Sequence, residues 1–278
     1  MIDYGISTAL FKGHAPDDVI AAIAEAGFRE IEISAGGEDY DAWFRDPGGR
    51  RRALQRAGIT PTSVHSPEDG WHSAARDPLV RQRCVEIVID CFHRAAEIGA
   101  EMVVVHPNSA LDPFTADTYT DSWGRTLETL AVWAEQAEAI GVTMLLENMP
   151  ARGLPRPGSS VSDVLAMIDG LGDHVGICLD VGHTHANGLD PTAEMREAGD
   201  RLLEVHLQDN DGSGEDQHWI MGAGTIDWDA YHETVDDLVF EGFQVFETLY
   251  GDTPTALLDQ LAGIRRRWTI SRRDAPRG

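Results

Sequence analysis

Six side chains that bind metals or move protons recur at one place in a repeated pattern: His65, His106, Glu147, Asp180, His206 and Glu247. Each closes a short, mostly apolar run that follows a glycine, as in AEIGAEMVVVH (96–106), AEAIGVTMLLEN (137–148) and EAGDRLLEVH (197–206). Taken singly, a histidine or glutamate at such a place is a loop hydrogen-bonder. Six in succession, brought to one mouth, stand within reach of each other. Carboxylates packed so closely repel and take up protons unless a cation lies between them. Glu147, Asp180, His206 and Glu247 offer three carboxylates and one imidazole. That set suits Mn2+, Co2+, Mg2+ or Zn2+ and leaves open positions for substrate oxygens. A second group comprises His183 in DVGHTHANG with Asp216 and His218 in GEDQHW. Two histidines and a carboxylate make a zinc triad or, read otherwise, donors to substrate hydroxyls. His185 competes with His183 for this place, and His218 can equally pin the long loop it lies in.

An eightfold pattern must position these residues. Seven copies of helical stripe, glycine and strand follow an opening strand at 2–8, among them AEAGFREIEIS (24–34), QRAGITPTSVH (55–65), IDGLGDHVGICLD (168–180) and LVFEGFQVFE (238–247). Glycine accepts the left-handed conformation that ends a helix, so each marks a helix C-terminus feeding a strand. MVVVH, TMLLE and FQVFE are nearly continuous apolar runs, as in a parallel sheet covered on both faces. Helical patterns fill 16–26, 79–98, 123–140 and 228–239. Eight βα units in series predict an α/β chain folded as one (β/α)₈ barrel over 1–268, with 269–278 a basic, flexible tail. The irregular stretches 35–47, 66–77, 107–119, 148–160 and 208–226 all follow strands, at the end where such a barrel builds its active site. Trp71, Trp219 and Phe11 lie in or near these loops. They are candidates for an apolar wall against a sugar, with plain packing as the other reading. Gly222 and Gly224 in MGAGTIDW lack the rest of a dinucleotide fingerprint and are read as a tight turn leading into the helix near Asp227.

Composition bounds the partners. The chain has 278 residues with 47 acids against 22 bases, a net charge of −25. The acids are 28 Asp and 19 Glu; the bases are 21 Arg and the single Lys12. Such a field opposes binding to nucleic acid or anionic lipid. Abundant aspartate with almost no lysine also suits a salt-rich cytoplasm, where surface repulsion is screened. In that case the charge reports on the solvent more than on the substrate, and DNA stays as the alternative partner. Cys84, Cys91 and Cys178 form no C-x-x-C pair and are odd in number, so they are read as buried small hydrophobes and not as a disulfide framework. The absence of a basic n-region and of any charge-free apolar stretch of spanning length predicts a cytoplasmic protein with no membrane contact. A homo-oligomer is left open.

The motifs SVHSP, VVVHPN, LLEN, ICLDVGH, EVHLQDND, DQHWIMGAGTIDW and VFE resemble those of the xylose-isomerase-like TIM barrel superfamily, from about Gly5 to Trp268. That superfamily contains sugar isomerases and epimerases as well as endonuclease-IV-type AP endonucleases. The resemblance implies that Glu147, Asp180, His206 and Glu247 hold the metal, and that the two glutamates also move the proton. For the endonuclease branch it implies further ligands at His65, His106, His183, Asp216 and His218 and a cluster of three zinc ions. All nine positions carry the expected residue type. The net charge and the acidic loop SAGGEDYDAWFRD speak against the nuclease. An arginine that the ketose epimerases carry shortly after the His206 position is absent; the segment reads DNDG. The favoured expectation is a metal-dependent isomerase or epimerase of a small sugar or related polyol ketone. Glu147 and Glu247 would transfer a proton through a metal-stabilised enediolate, with His183 donating to a substrate oxygen. The alternatives are a zinc-dependent AP endonuclease or phosphodiesterase and, in a different class, a non-catalytic sugar-binding barrel.

Overall fold

The computed structural model describes residues 4–34, 36–67, 73–108, 116–153, 156–249 and 253–274. Eight strands close into a parallel barrel in sequence order. They are β1 (Gly5–Ser7), β2 (Glu30–Ser34), β3 (Thr60–His65), β4 (Met102–Val105), β5 (Thr143–Glu147), β6 (Val175–Asp180), β7 (Leu202–Leu207) and β8 (Phe243–Phe246). Between and after them run α1 (Pro16–Glu25), α2 (Glu38–Phe44), α3 (Pro47–Ala57), α4 (Pro78–Ile98), α5 (Ala116–Ile140), α6 (Val161–Ile168), α7 (Val181–Ala186), α8 (Pro191–Ala198), α9 (Trp228–Asp237) and α10 (Pro254–Asp274). This is the single-domain (β/α)₈ architecture that the repeat predicts. Two details extend it. The loop after β2 carries its own short helix, α2. The last helix continues through Asp274, past the boundary expected at 268, and residues 275–278 lie outside the described ones.

Local chemistry sets the helix ends. α3, α4 and α8 each begin with an Asp-Pro pair, in which proline takes the first turn and Asp46, Asp77 or Asp190 accepts a backbone N–H at 2.9 Å. At the other end of α4, Gly99 takes φ +94°, a value that L side chains rarely adopt, and turns the chain into β4.

The apolar surface is divided between two clusters. The larger lies between the sheet and its helices, around Ile6, Phe28, Ile33, Phe92, Val103, Trp133, Leu146, Ile177, Val205, Tyr231 and Phe246. The smaller fills the barrel interior with Met102, Val104, Leu145 and Cys178, against Leu203 and Phe243. It plugs the barrel, so anything that binds must enter at the strand C-termini. All three cysteines are free and buried, as expected. Among the described residues no helix is long and apolar enough to cross a membrane.

Candidate metal centre

Alternation along each strand decides which side chains reach the mouth. The chelating residues predicted from the repeat stand at or directly after a strand C-terminus, with His206 one residue before it, and the structure brings them together. His106 Nε2 and His65 Nε2 lie 2.9 and 3.2 Å from Glu147 Oε2. The other oxygen of Glu147 faces His206 Nδ1 at 3.5 Å and His183 Nδ1 at 3.4 Å. Glu247 Oε2 approaches the same His206 nitrogen at 3.2 Å. Asp216 joins the second group, with Oδ1 3.0 Å from His218 Nε2 and Oδ2 3.3 Å from His183 Nε2. Four sets emerge in which one ligand atom per residue lies within 4.8 Å of all the others: three at the mouth, namely His65, His106 and Glu147; Glu147, Asp180, His206 and Glu247; and His183, Asp216 and His218; and a fourth made of Cys178, Glu204 and His206. Glu147 belongs to two of them.

The donor chemistry fits a divalent cation. In the quartet, His206 Nδ1 is fully buried, makes no hydrogen bond and points between Glu147 and Glu247. A buried nitrogen left without a partner costs free energy that a metal would recover. Exposure shows where open positions lie. The side chains of Asp180, Glu147 and His206 are 0–1% exposed, against 9% for Glu247, 12% for Asp216 and 13% for His106. A ligand therefore meets the cluster from the side of the last three.

Each histidine is held from behind. His65 Nδ1–H donates to the Ser66 carbonyl at 3.0 Å, His183 Nδ1–H to the Asn148 carbonyl at 2.8 Å, and His218 Nδ1–H to the Glu247 carbonyl at 2.9 Å. In all three rings Nε2 is the nitrogen presented to the cluster. His218 takes φ +46°, an uncommon conformation for a residue with a side chain. It is fixed there by Gln208, which accepts its N–H at 3.2 Å, and by Asp216. Asp180 is buried as the N-cap of α7 and accepts the His183 N–H at 2.6 Å. The competing His185 points away, to the Thr225 hydroxyl.

Charge within the cluster is balanced by protons. Burial alone would raise the Glu147 carboxyl, but the charge of His106 and the contacts of His106, His206 and His65 hold it well below the usual range. Burial likewise opposes ionisation of Glu247, yet His206 and His218 lower it to about 2. For Asp180, burial wins over His183 and pushes the carboxyl up to about 6, with Glu147 and Glu247 adding to the rise. Burial works against the imidazolium of His218, but Asp216, Glu247 and Asp180 raise it to about 10. The same contest leaves His183 well above its ordinary value, facing Asp180 and Asp216, and His206 too, facing Cys178, Glu32 and Glu247. Asp216 falls far below the carboxylate range because His183 and His218 outweigh its burial. The carboxylates that the sequence reading left uncompensated are thus matched by imidazolium rings.

Other predicted residues have separate fates. Trp71 lies outside the described residues. Phe11 is buried in the main apolar cluster with its ring edge-on to His14, and Trp219 is half-buried and pairs through its backbone with Asp209. Gly222 and Gly224 form the expected tight turn: a Cβ on Gly224 would run into the Asn210 carbonyl. The sequence reading missed three buried acids. Asp209 accepts from the N–H groups of Asn210, Gly222 and Ile226 and from Trp228 Nε1, so it holds the whole 208–226 loop in shape. Glu32 and Glu204 sit beneath His206. Their signal was present as acids at strand positions, Glu32 in EIEIS and Glu204 in LLEVH.

Residues 20–267 match the xylose isomerase-like TIM barrel family. The chain belongs to that family. Relatives within it come from both branches. An L-ribulose 3-epimerase of Mesorhizobium japonicum is 29% identical over 232 residues, covering 81% of this chain and 74% of its own. A probable endonuclease 4 of Oleidesulfovibrio alaskensis is 31% identical over 210 residues, 69% of this chain and 70% of its own. Among solved structures, a D-tagatose 3-epimerase-like protein superposes with a TM-score of 0.83 over 98% of this chain and 99% of its own; at 22% identity this is a likeness of fold.

Proposed function

We propose that this member of the xylose isomerase-like family is a divalent-metal-dependent isomerase or epimerase of a small sugar or related polyol ketone. The observation that carries the reading is the pair Glu147 and Glu247, which reach one nitrogen of His206 from β5 and from the end of β8 and are both held as carboxylates. A cation held by Glu147, Asp180, His206 and Glu247 would polarise a carbonyl and make the adjacent C–H more acidic. Glu147 and Glu247 are the two bases available at that carbon: one removes the proton and the other returns it. His183, whose Nδ1 is committed to the Asn148 carbonyl, presents Nε2 toward Asp216 and the mouth and donates to a substrate oxygen. Trp219 and Phe11 are the described aromatics proposed to wall the sugar. The L-ribulose 3-epimerase and D-tagatose 3-epimerase-like relatives favour a ketose, and the acidic chain favours a neutral one over a polyanion.

The test is solvent exchange: a panel of ketopentoses and ketohexoses incubated in D2O with Mn2+ or Co2+ should take up one deuterium per molecule, read by mass spectrometry. Glu147→Gln should remove that exchange while the protein keeps its melting temperature within a few degrees. Exchange that survives Glu147→Gln removes this residue from the proton path.

One observation favours a second reading, phosphodiester hydrolysis of the AP-endonuclease type. Nine residues form three adjoining ligand groups, with Glu147 shared between two, and relatives named probable endonuclease 4 align over most of the chain. Three zinc ions per chain together with cleavage of an abasic-site duplex would establish it over the isomerase.

A further inference from the structure

His206 differs from the other oriented histidines of the cluster. His65, His183 and His218 are held from behind by backbone carbonyls, which the fold fixes whatever the side chains are. His206 is held by side chains alone. Its Nε2–H donates to Glu32 Oε2 at 2.9 Å, and Glu204 Oε1 lies 3.4 Å from the same nitrogen. Glu204 is steadied in turn by the Ser63 hydroxyl at 2.8 Å. Both carboxylates are fully buried, and each keeps one oxygen with no hydrogen-bond partner. Two carboxyl groups in a barrel interior are costly to bury, so their retention calls for a compensating role. The barrel is also distorted to aim them. The ladder slips by one residue between Ile31 and Glu32 on β2, so that Glu32 pairs with Ser63, and again beside β7, so that Glu204 pairs with Cys178. Such irregularities re-aim side chains next to functional sites.

We infer that Glu32, backed by Glu204, is a positioning residue that fixes His206 with Nε2–H pointing down and Nδ1 presented to Glu147, Asp180 and Glu247. The same carboxylate places negative charge behind the ring and makes Nδ1 a stronger ligand. A carboxylate behind a ligating histidine is worth roughly ten- to a hundredfold in metal affinity. Glu204 completes the support, and the two acids act as a unit on one N–H. Because it concerns the cation site and not the substrate, the inference survives even if no ketose is turned over.

The experiment is Co2+ titration of the full chain, following binding by absorption in the visible range, for the parent, Glu32→Gln and Glu32→Leu. Glu32→Gln keeps an acceptor for Nε2–H and removes the charge; it should weaken the site at least tenfold and leave the Co2+ spectrum unchanged. Glu32→Leu removes acceptor and charge; it should weaken binding further and alter the spectrum as the ring is freed to turn. Nitrogen-15 shifts of the zinc-loaded parent should report His206 protonated at Nε2 and ligated at Nδ1. Parental affinity, within twofold, in Glu32→Gln overturns the inference, whether or not Glu32→Leu folds. A parental spectrum in a folded Glu32→Leu overturns the orientation claim.

Discussion

Metal loading should release protons, and the number released separates the two chemistries. In the metal-free cluster His183, His206 and His218 all sit above their ordinary values, so all three rings are charged at pH 7. A cation takes only the neutral imidazole, so each ring must give up its proton on binding. One ion in the quartet expels the proton of His206 together with whatever Asp180 carries. With Asp180 at about 6, roughly a tenth of a proton is bound there at pH 7, giving about 1.1 in all. Filling all three groups also strips His183 and His218, for about 3 protons or more. The sign of the pH dependence follows: the competing protons leave as pH rises, so binding tightens with pH. For His218 by itself, at about 10, the gain is about tenfold per unit from pH 7 to about 9 and about five-hundredfold by pH 10, and the proton on His183 steepens it further. Isothermal titration with Mn2+ and with Zn2+ at pH 7, in buffers of different ionisation enthalpy, gives the proton count directly. Release below about half a proton per ion would show that the histidines are neutral in the metal-free protein, and the charge balance described for this cluster would be wrong.

Three further outcomes follow from the same structure. Asp209→Ala strands three donors in the 208–226 loop and the Trp228 indole beside it, so it should cost about 3 kcal/mol or more in urea unfolding and expose that loop to proteases; a loss under about 1 kcal/mol would show that Asp209 does not organise it. The metal-free protein should lose stability between pH 7 and 10: the folded pKa of His218 lies above its ordinary 6.5, so its ion pair with Asp216 is fully present below 6.5 and is lost as pH rises through about 10. A melting temperature that stays level over this range would argue against the pair. With a net charge of −25, surface repulsion should make the melting temperature climb as KCl is raised from 0.1 to 2 M, and a flat curve would separate the acidic composition from salt adaptation.

The candidate cluster was legible in the sequence because strand position and chemistry coincide. The glycine that ends each helix fixes where the next strand starts, and a strand of four to six residues then fixes which residue arrives at the mouth. His65, His106, Glu147, Asp180, His206 and Glu247 could be found by that count alone. His218 and Asp216 lie in the loop after β7, where no period applies; their residue types in GEDQHW singled them out beside His183, with packing of the loop as the other reading. Glu32, Glu204 and Asp209 escaped for a different reason. An acid in a strand or turn is ordinarily read as solvated, and what makes these three matter is burial, which depends on the closed barrel and on two one-residue slips in its ladder.

The same distinction bears on how one mouth serves two chemistries within the family. Ligand type is shared across the cluster, and Glu147 links two of the groups at the mouth. What differs between the groups is how firmly their histidines are set and how deeply they are buried. The quartet is the deepest, with His206 fixed by Glu32 and Glu204 and its buried Nδ1 set between Glu147 and Glu247. His183, Asp216 and His218 sit nearer the opening and already satisfy each other as charged pairs. A cation entering the quartet displaces one imidazolium proton, that of His206, whereas one entering the outer group displaces two, from His183 and His218. Stepwise filling, quartet first, is therefore the expected order. A chain that works with the first ion alone is equipped for moving a proton between two carboxylates, while one that needs all three is equipped for a phosphodiester.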